Sequence, residues 1–191
     1  MRLALVGGRD VAQTAPPEHA PGPARRVLTT VLFTDIVDST RHAVALGDER
    51  WLELLERHEA MVRAEVRRAG GRPILAIGDG VVATFAGAAA AIQSALRIAQ
   101  VSRSFGLEVR CGLHCGESER RGSRLGGIVF HVAARVVHLA APGEVLVSET
   151  LTRLVTGSAV RFRKRGRRTL RGLPGIWPIY RVTRDDDEPT G

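Results

Sequence analysis

The sequence predicts an α/β (α+β) fold, in which helices alternate with strands and hairpins around a mixed β-sheet. Apolar residues recur at helical spacing in three segments, and β-rich runs with glycine turns lie between those segments. Interleaved elements of this kind predict a mixed sheet that is covered by helices on one side. The 191 residues, 44% hydrophobic and 25% charged, are enough for one such domain.

The predicted elements follow one another in a simple order. Strands are predicted in four segments, the second of which is a hairpin with a glycine turn and the last of which runs into a helix: 26–36, 72–85, 107–117 and 144–150. Helices are predicted in the segments between them: 51–71, 86–106 and 126–143. Short strands complete the chain to residue 183.

The two ends of the chain differ in composition from the part between them. Residues 1–26 contain four prolines and are expected to form an irregular lead-in, residues 27–183 form the predicted domain, and residues 184–191 (RDDDEPTG) are expected to be an acidic, disordered tail. No apolar run approaches the ~20 residues that a membrane span needs. The N-terminal apolar run is too short for a secretory signal, so we expect a cytoplasmic protein.

The chain is strongly basic, with a formal charge of +8 and a single lysine, Lys164. The charge is concentrated near the C-terminus, in Arg161, Arg163, Lys164, Arg165, Arg167, Arg168 and Arg171. Such a cluster is compatible with a nucleic acid or an anionic surface. However, Phe162 is the only aromatic residue among them, and no DNA-binding motif adjoins them. The favoured interpretation is a solvated, charged hairpin, and nucleic acid is not an expected partner.

Two cysteines, Cys111 and Cys115, lie in the predicted strand VRCGLHCGE. Alternation along a strand places both on one face and His114 on the other. A Cys/His metal site needs at least three converging ligands. We therefore expect reduced, structural cysteines.

Two carboxylates are notable for their positions. Asp35 ends the first strand (LFTDIVDST), and Asp79 lies in the hairpin turn (IGDG). Each alone fits an ordinary helix cap or turn residue. In a ferredoxin-like βαββαβ core the two strands are neighbours, so both acids would meet at one edge of the sheet. With no basic residue close by in sequence, the pair favours Mg²⁺ or Mn²⁺, which prefer oxygen ligands.

The sequence resembles a known family, and five segments carry the resemblance in order and spacing: LFTDIVDST, GGRPILAIGDGVVATF, EVRCGLHCGE, GGIVFHVAARV and APGEVLVSET. They are similar to the class III nucleotidyl (adenylate/guanylate) cyclase catalytic domain, most of all to actinobacterial-type members. The closing segment RFRKRGRRTLRGLPGIWPIYRV is similar to the end of that domain. The resemblance covers roughly residues 27 to 183.

The resemblance implies a metal site beside a phosphate-binding loop. Asp35 and Asp79 match the family's metal-binding aspartates, and the backbone carbonyl of Ile36 matches a further ligand of two Mg²⁺ or Mn²⁺ ions. The loop that enters the next helix matches the segment whose amides hold the triphosphate: Ile36, Val37, Asp38, Ser39 and Thr40. Asp38 stands where glycine is common in the family.

The resemblance also implies a head-to-tail homodimer with shared active sites. Arg135 matches the arginine that stabilises charge on the α-phosphate in the transition state, a role that suits an always-charged guanidinium. His131 stands where an asparagine usually orients the ribose, an exchange typical of the related subgroup. In the family the metal-binding aspartates come from one chain, and the arginine and base-reading residues come from the other.

The positions that match the base-reading residues depart from the family. The lysine that reads adenine is replaced by Leu75, which offers no side-chain hydrogen bond to a base. Its acidic partner is replaced by Arg124, or by Ser123 if the loop shifts by one residue. Lys164 is too far along the chain to restore the missing lysine. The preferred base, which is adenine by family, therefore stays open.

Two functions remain open at this point. In the first, the chain is a cyclase that converts a nucleoside triphosphate to a 3′,5′-cyclic nucleotide and pyrophosphate, with altered base recognition. In the second, it is a degenerate nucleotide-binding or dimerisation module that lends Arg135 to a partner. The metal-binding aspartates and the arginine favour the first, because chemistry needs them before base recognition. The charge reversal at Arg124 favours the second.

Overall fold

The fold is taken from a computed structural model, which describes residues 24–122 and 124–183. The strands are β1 (Arg25–Ile36), β2 (Arg72–Ile77), β3 (Gly80–Phe85), β4 (Val109–Arg121), β5 (Arg124–Gly126), β6 (Val145–Ser148), β7 (Arg161–Arg168) and β8 (Trp177–Thr183). The helices are α1 (Ser39–Leu46), α2 (Asp48–Arg68), α3 (Ala88–Ser102), α4 (Ile128–Val137) and α5 (Glu149–Leu154). Most of the predicted lead-in, residues 1–23, and the predicted acidic tail lie outside the described residues.

All eight strands belong to one mixed sheet, in the order β2-β3-β1-β4-β6-β8-β7, with β5 paired to β4. Each of the first four strands pairs antiparallel with its neighbours in the order β2-β3-β1-β4, and with α2 and α3 these strands form the predicted ferredoxin-like βαββαβ core. Strand β6 pairs parallel to β4, which makes the sheet mixed. The predicted fold class is therefore confirmed. No helix in the described part of the chain combines the length and apolarity needed to cross a bilayer.

Helices cover both faces of the sheet, so the expectation of cover on one side is wrong. Helices α2 and α3 pack on one face, where Leu32 belongs to the main core. Helix α4 packs on the other face, where Val31 contacts a second buried group. Both residues are 0% exposed. A central strand buried on two sides carries a continuous apolar run instead of an alternating one, and VLF in β1 is such a run.

Helix α4 lies unusually close to the sheet because of one glycine. A Cβ on Gly112 of β4 would lie 2.2 Å from the backbone nitrogen of Val137, the last residue of α4. Only a residue without a side chain allows the helix backbone to approach β4 this closely. Gly112 thus sets the position of α4 and of the side chains that α4 carries.

The cysteines lie as the alternation predicts. Cys111 and Cys115 are buried in the core beneath α3 and are not joined in a disulfide. His114 is also buried, and its Nδ1 lies 2.6 Å from the hydroxyl of Ser148. Its ring meets that of Trp177 edge-on, so the histidine has a packing role.

Candidate active site

One edge of the sheet holds a cleft of about 650 Å³ in which the two predicted acids meet. Its lining residues come from the end of β1, the start of α1, the β2–β3 turn and the start of β4: Asp35, Ile36, Asp38, Ser39, Thr40, Arg41, Val44, Asp79 and Arg110. The size is in the range of small-molecule sites. The pairing of Asp35 with Asp79 in one cleft, expected from the neighbouring strands, is thus present in the structure.

A side-chain bridge from β1 fixes the hairpin that carries Asp79. The hydroxyl of Thr34 accepts a hydrogen bond from the amide of Val81 at 2.9 Å and lies 3.3 Å from the carbonyl oxygen of the same residue. Main-chain pairing between β1 and β3 is recorded as far as Phe33 and Val82. Thr34 extends the contact by one step, next to both acids. Sequence reasoning missed this residue, since its only signal was its place beside Asp35.

Asp79 lies at the tip of the hairpin, half-buried, after Gly78, whose φ is +60°. Glycine adopts this left-handed conformation without a steric penalty. The charge of Asp79 acts on the buried His58 of α2 and raises its pKa, but desolvation is the larger effect and lowers that pKa to about 4. The Nε2 of His58 lies 2.8 Å from the hydroxyl of Ser102, which joins α2 to α3. His58 is thus a neutral, hydrogen-bonded residue of the core beneath the cleft.

Asp35 pairs with a basic residue, Arg110, that is distant in sequence. It lies directly opposite Arg110 in the pairing of β1 with β4. The Nε and Nη2 atoms of Arg110 both lie 2.5 Å from Oδ2 of Asp35. The side chains are 22% and 29% exposed, so the pair is only partly screened by water. A basic residue therefore accompanies these acids although none was expected nearby in sequence, because strand pairing brings together residues 75 positions apart.

The cleft fits a divalent cation in its donor chemistry, although not as a preassembled cage. Among residues 24–122 and 124–183, no three acidic, histidine or cysteine side chains converge as a metal cluster. The carboxylates of Asp35 and Asp79 are nevertheless hard oxygen donors in one cleft. Mg²⁺ is commonly held by one or two carboxylates together with substrate phosphates. Arg110 already neutralises part of the charge of Asp35, so a cation would compete with its guanidinium for that carboxylate.

The predicted phosphate loop is only partly available to a ligand. The amide of Val37 donates to the carbonyl of Glu108 at 2.9 Å and is therefore occupied. The following residues begin α1, and the first amides of a helix have no intrahelical acceptor. The amides of Ser39 and Thr40, at the rim of the cleft, are suited to an anion.

Asp38 caps α1 in a left-handed conformation, with φ of 54°, and is the only described non-glycine residue with positive φ. Its side chain makes no capping hydrogen bond. This backbone conformation gives a physical reason why glycine suits the position. The aspartate adds an exposed negative charge beside the start of the helix.

The two predicted catalytic residues do not line the cleft of their own chain. His131 and Arg135 both lie on α4, one turn apart. His131 is exposed, and Arg135 is half-buried with its Nε donating to the carbonyl of Arg171 at 3.3 Å. Neither is among the residues around Asp35 and Asp79. Within one chain, therefore, the side chains of α4 do not meet Asp35 and Asp79, the two predicted metal ligands.

The predicted base-reading positions also lie away from the cleft. Leu75 is 43% exposed on β2, an edge strand of the sheet, next to a register shift between Pro73 and Leu75. Arg124 is exposed on β5, opposite Arg121 of β4. The alternative, Ser123, lies outside the described residues. Neither Leu75 nor Arg124 lines the cleft.

The fold agrees with what comparison with known proteins shows. The family described as the adenylate and guanylate cyclase catalytic domain matches residues 24–183. The chain belongs to this family, as the resemblance implied. The relatives include Rv0891c, an uncharacterized protein of Mycobacterium tuberculosis (strain H37Rv), which is 30% identical over 149 residues, 76% of this chain and 52% of that protein. An uncharacterized Mycobacterium bovis protein, Mb0915c, gives the same values. The chain spans about half the length of these curated relatives.

Solved structures of low sequence identity share the fold. The adenylyl cyclase CyaB from P. aeruginosa superposes with a TM-score of 0.79 at 21% identity, over 85% of this chain and 96% of that one. The guanylate cyclase domain of RhGC from Catenaria anguillulae, in complex with GTP, gives 0.75 at 19% identity, over 83% and 98%. An adenylate cyclase from Trypanosoma brucei, in its monomeric state, gives 0.73 at 20% identity, over 81% and 89%.

Proposed function

We propose that this chain is a metal-dependent nucleotidyl cyclase, which converts a nucleoside triphosphate to a 3′,5′-cyclic nucleotide and pyrophosphate. The observation that carries the proposal is the meeting of Asp35 and Asp79 in one cleft at the start of α1. Family membership supports the same reaction class. ATP is the expected substrate by family, and the departures at Leu75 and Arg124 leave the base preference to experiment.

The proposed reaction exchanges one phosphorus–oxygen bond for another. The 3′-hydroxyl gives its proton to solvent water, its oxygen bonds to the α-phosphorus, and pyrophosphate departs with the former bridging oxygen. The helix-start amides of Ser39 and Thr40 would bind phosphate oxygens. Arg110, at the floor of the cleft, has phosphate oxygens as alternative partners to Asp35 and would neutralise charge on the departing group.

Asp35 and Asp79, with the carbonyl of Ile36, are the residues that we propose hold two Mg²⁺ or Mn²⁺ ions. A divalent cation held there supplies positive charge that favours loss of the 3′-hydroxyl proton and stabilises the leaving pyrophosphate. Because Arg110 already binds Asp35, substrate would help by drawing the guanidinium towards phosphate. Metal and triphosphate should therefore bind cooperatively.

The proposal includes a second copy of the chain. Arg135 and His131 lie on α4, outside the cleft of their own chain; His131 is exposed and Arg135 is half-buried. A head-to-tail dimer would place these side chains over the cleft of the other copy, where Arg135 would stabilise charge on the α-phosphate and His131 would orient the ribose. In this arrangement a single chain has no complete site.

The decisive experiment incubates the purified protein with ATP, GTP, CTP or UTP and Mn²⁺, with mass spectrometry to detect cyclic products. We expect product from at least one nucleotide, and loss of about 100-fold or more in Asp79→Asn. Glu53→Gln, which removes an exposed carboxylate of α2, is the matched control and should retain the rate. A folded protein that forms no product from any of the four nucleotides would contradict the proposal.

Shared sites are tested by mixing two inactive variants, Asp79→Asn and Arg135→Ala. Half of the dimers in an equal mixture are mixed, and each mixed dimer has one intact site of two. Activity should return to about a quarter of the wild-type rate. A mixture as inactive as its components would contradict the shared-site arrangement.

A second candidate function is a catalytically degenerate module that binds nucleotide or pairs with another cyclase chain. The ion pair of Asp35 with Arg110 favours this second function, because one of the two proposed metal ligands already has a cationic partner. This module would bind nucleotide without forming cyclic product. Nucleotide binding measured beside the product assay separates the two functions.

A further inference from the structure

A second cleft, of about 430 Å³, carries a charge opposite to that of the first. Five cationic side chains line it around the loop Ala141–Glu144, which precedes β6: Arg103, Arg163, Lys164, Arg165 and Arg181. It shares no lining residue with the cleft of Asp35 and Asp79. The proposed cyclase function therefore leaves this basic cleft unused.

The cations of the basic cleft exceed the acids that accompany them. Arg103 lies 3.3 Å from Glu108, and Arg165 lies 3.0 Å from Glu144. Within the part of the chain that the structure describes, Arg163 and Lys164 have no carboxylate at ion-pair distance. Two of the five cations, Arg163 and Lys164, thus lack an acidic partner among the described residues, which makes the cleft attractive to an anion.

Strand pairing brings two of these cations directly together. Arg163 of β7 lies opposite Arg181 of β8, and both line the cleft. An anion between them would contact both guanidinium groups.

The remaining wall of the cleft is held in place by close packing. Gly143 has φ of +71°, and a Cβ at this position would lie 2.7 Å from the guanidinium of Arg103. The carboxylate of Glu144 accepts hydrogen bonds from Arg165 and from the amide of Ala141. Arg103 and Arg165 are thus oriented before any ligand arrives, which lowers the cost of binding.

We propose that the basic cleft binds the oligophosphate group, of two or more linked phosphates, of a small molecule. Guanidinium forks match phosphate oxygens. An acidic peptide would bring about one charge every 6–7 Å along one face of an extended chain, too sparse for five clustered cations. No aromatic side chain lines the cleft, so it lacks the stacking contacts typical of single-stranded nucleic acid sites.

The test measures binding of inorganic tripolyphosphate by calorimetry in EDTA. Without divalent cations the carboxylates of the other cleft repel this anion, which weakens its binding there. We expect saturable binding with one site per chain. The double variant Arg163→Gln/Lys164→Gln should weaken it at least about tenfold, since each lost contact to a charged group costs about that factor.

The matched control is Arg25→Gln/Arg120→Gln. These two exposed arginines also lie opposite each other, on β1 and β4, but outside the basic cleft. This control should change the affinity less than twofold. Because the assay contains no metal and no turnover, its result is independent of the proposed cyclase activity.

Three outcomes would overturn the proposal. The first is the absence of saturable tripolyphosphate binding to the folded protein. The second is an equal loss of affinity in the control variant, which would indicate general electrostatic attraction. The third is binding of a DNA duplex or of vesicles rich in anionic lipid with no binding of tripolyphosphate, which would assign the cations to a polymer or a membrane surface.

Discussion

The two parts of the proposed active site are held by different forces. The cleft around Asp35 and Asp79 is held by two polar contacts, the Asp35–Arg110 ion pair and the hydrogen bond between Thr34 and Val81. A turn at Gly78 places Asp79. Helix α4 is held by apolar packing, and its backbone lies directly against the backbone of β4 at Gly112. Polar contacts can exchange partners when a charged ligand enters, whereas close packing has one arrangement. The cleft is thus the adjustable part of the site, and α4 is the fixed part.

The largest expected effect is that of Gly112→Ala, which tests whether close packing fixes α4. The new Cβ would lie 2.2 Å from the backbone of α4, so helix and strand must separate. We expect the free energy of unfolding to fall by about 3 kcal/mol or more, as for severe overpacking. Denaturant unfolding measures this. Gly126→Ala, where a Cβ meets nothing within 4 Å, is the control, and an equal loss there would refute the close-packing argument.

The second prediction concerns pH, because each part contains one buried histidine. Burial lowers the pKa of His58, beneath the cleft, and of His114, on the α4 face, from 6.5 to about 4. Between these values the unfolded chain binds more protons than the folded one. Stability is therefore complete above pH 6.5 and falls as the pH approaches 4, by about 1–3 kcal/mol per histidine.

Urea unfolding between pH 7.5 and 4.5 tests this prediction. His114→Gln should remove the share of the pH dependence that belongs to the α4 face, and leave the share of His58. Replacing the exposed His138 by Gln should leave the pH dependence unchanged. An unfolding free energy that stays constant across this range would show that the histidines are not kept neutral by burial.

The third prediction concerns the cleft, the adjustable part of the site, and tests its Asp35–Arg110 ion pair. A double-mutant cycle of Asp35→Asn and Arg110→Gln should give a coupling energy of about 1 kcal/mol, since both side chains are mostly but not fully buried. Denaturant unfolding of the four proteins without metal supplies the values. A coupling energy near zero would mean that the pair does not organise the free cleft.

The smallest expected effect is that of Asp38→Gly. Relief of the left-handed backbone at φ of 54° should stabilise the protein by up to about 1 kcal/mol. Asp48→Gly, in the first turn of α2, is the control and should be destabilising by a similar amount. If both variants lose stability, the conformation at Asp38 is not strained.

Local patterns in the sequence were sufficient for most of the fold and for the two acids. The alternation that separates His114 from the cysteines and the glycine turn at Asp79 depend on near neighbours, and both are present as predicted. The cover of both faces was missed, although the VLF run in β1 is a signal of burial on two sides. Arg110 was missed because a strand partner has no signature in local sequence.

The sequence by itself determined the βαββαβ order, the acids at the ends of their elements and the excess of arginine, because these depend on residue type and short-range spacing. Only the tertiary structure decided which charges meet. Pairing of β1 with β4 joins Asp35 to Arg110, and pairing of β7 with β8 sets Arg163 against Arg181. Register between distant strands is a property of the whole sheet, so such contacts arise only when the complete core has formed.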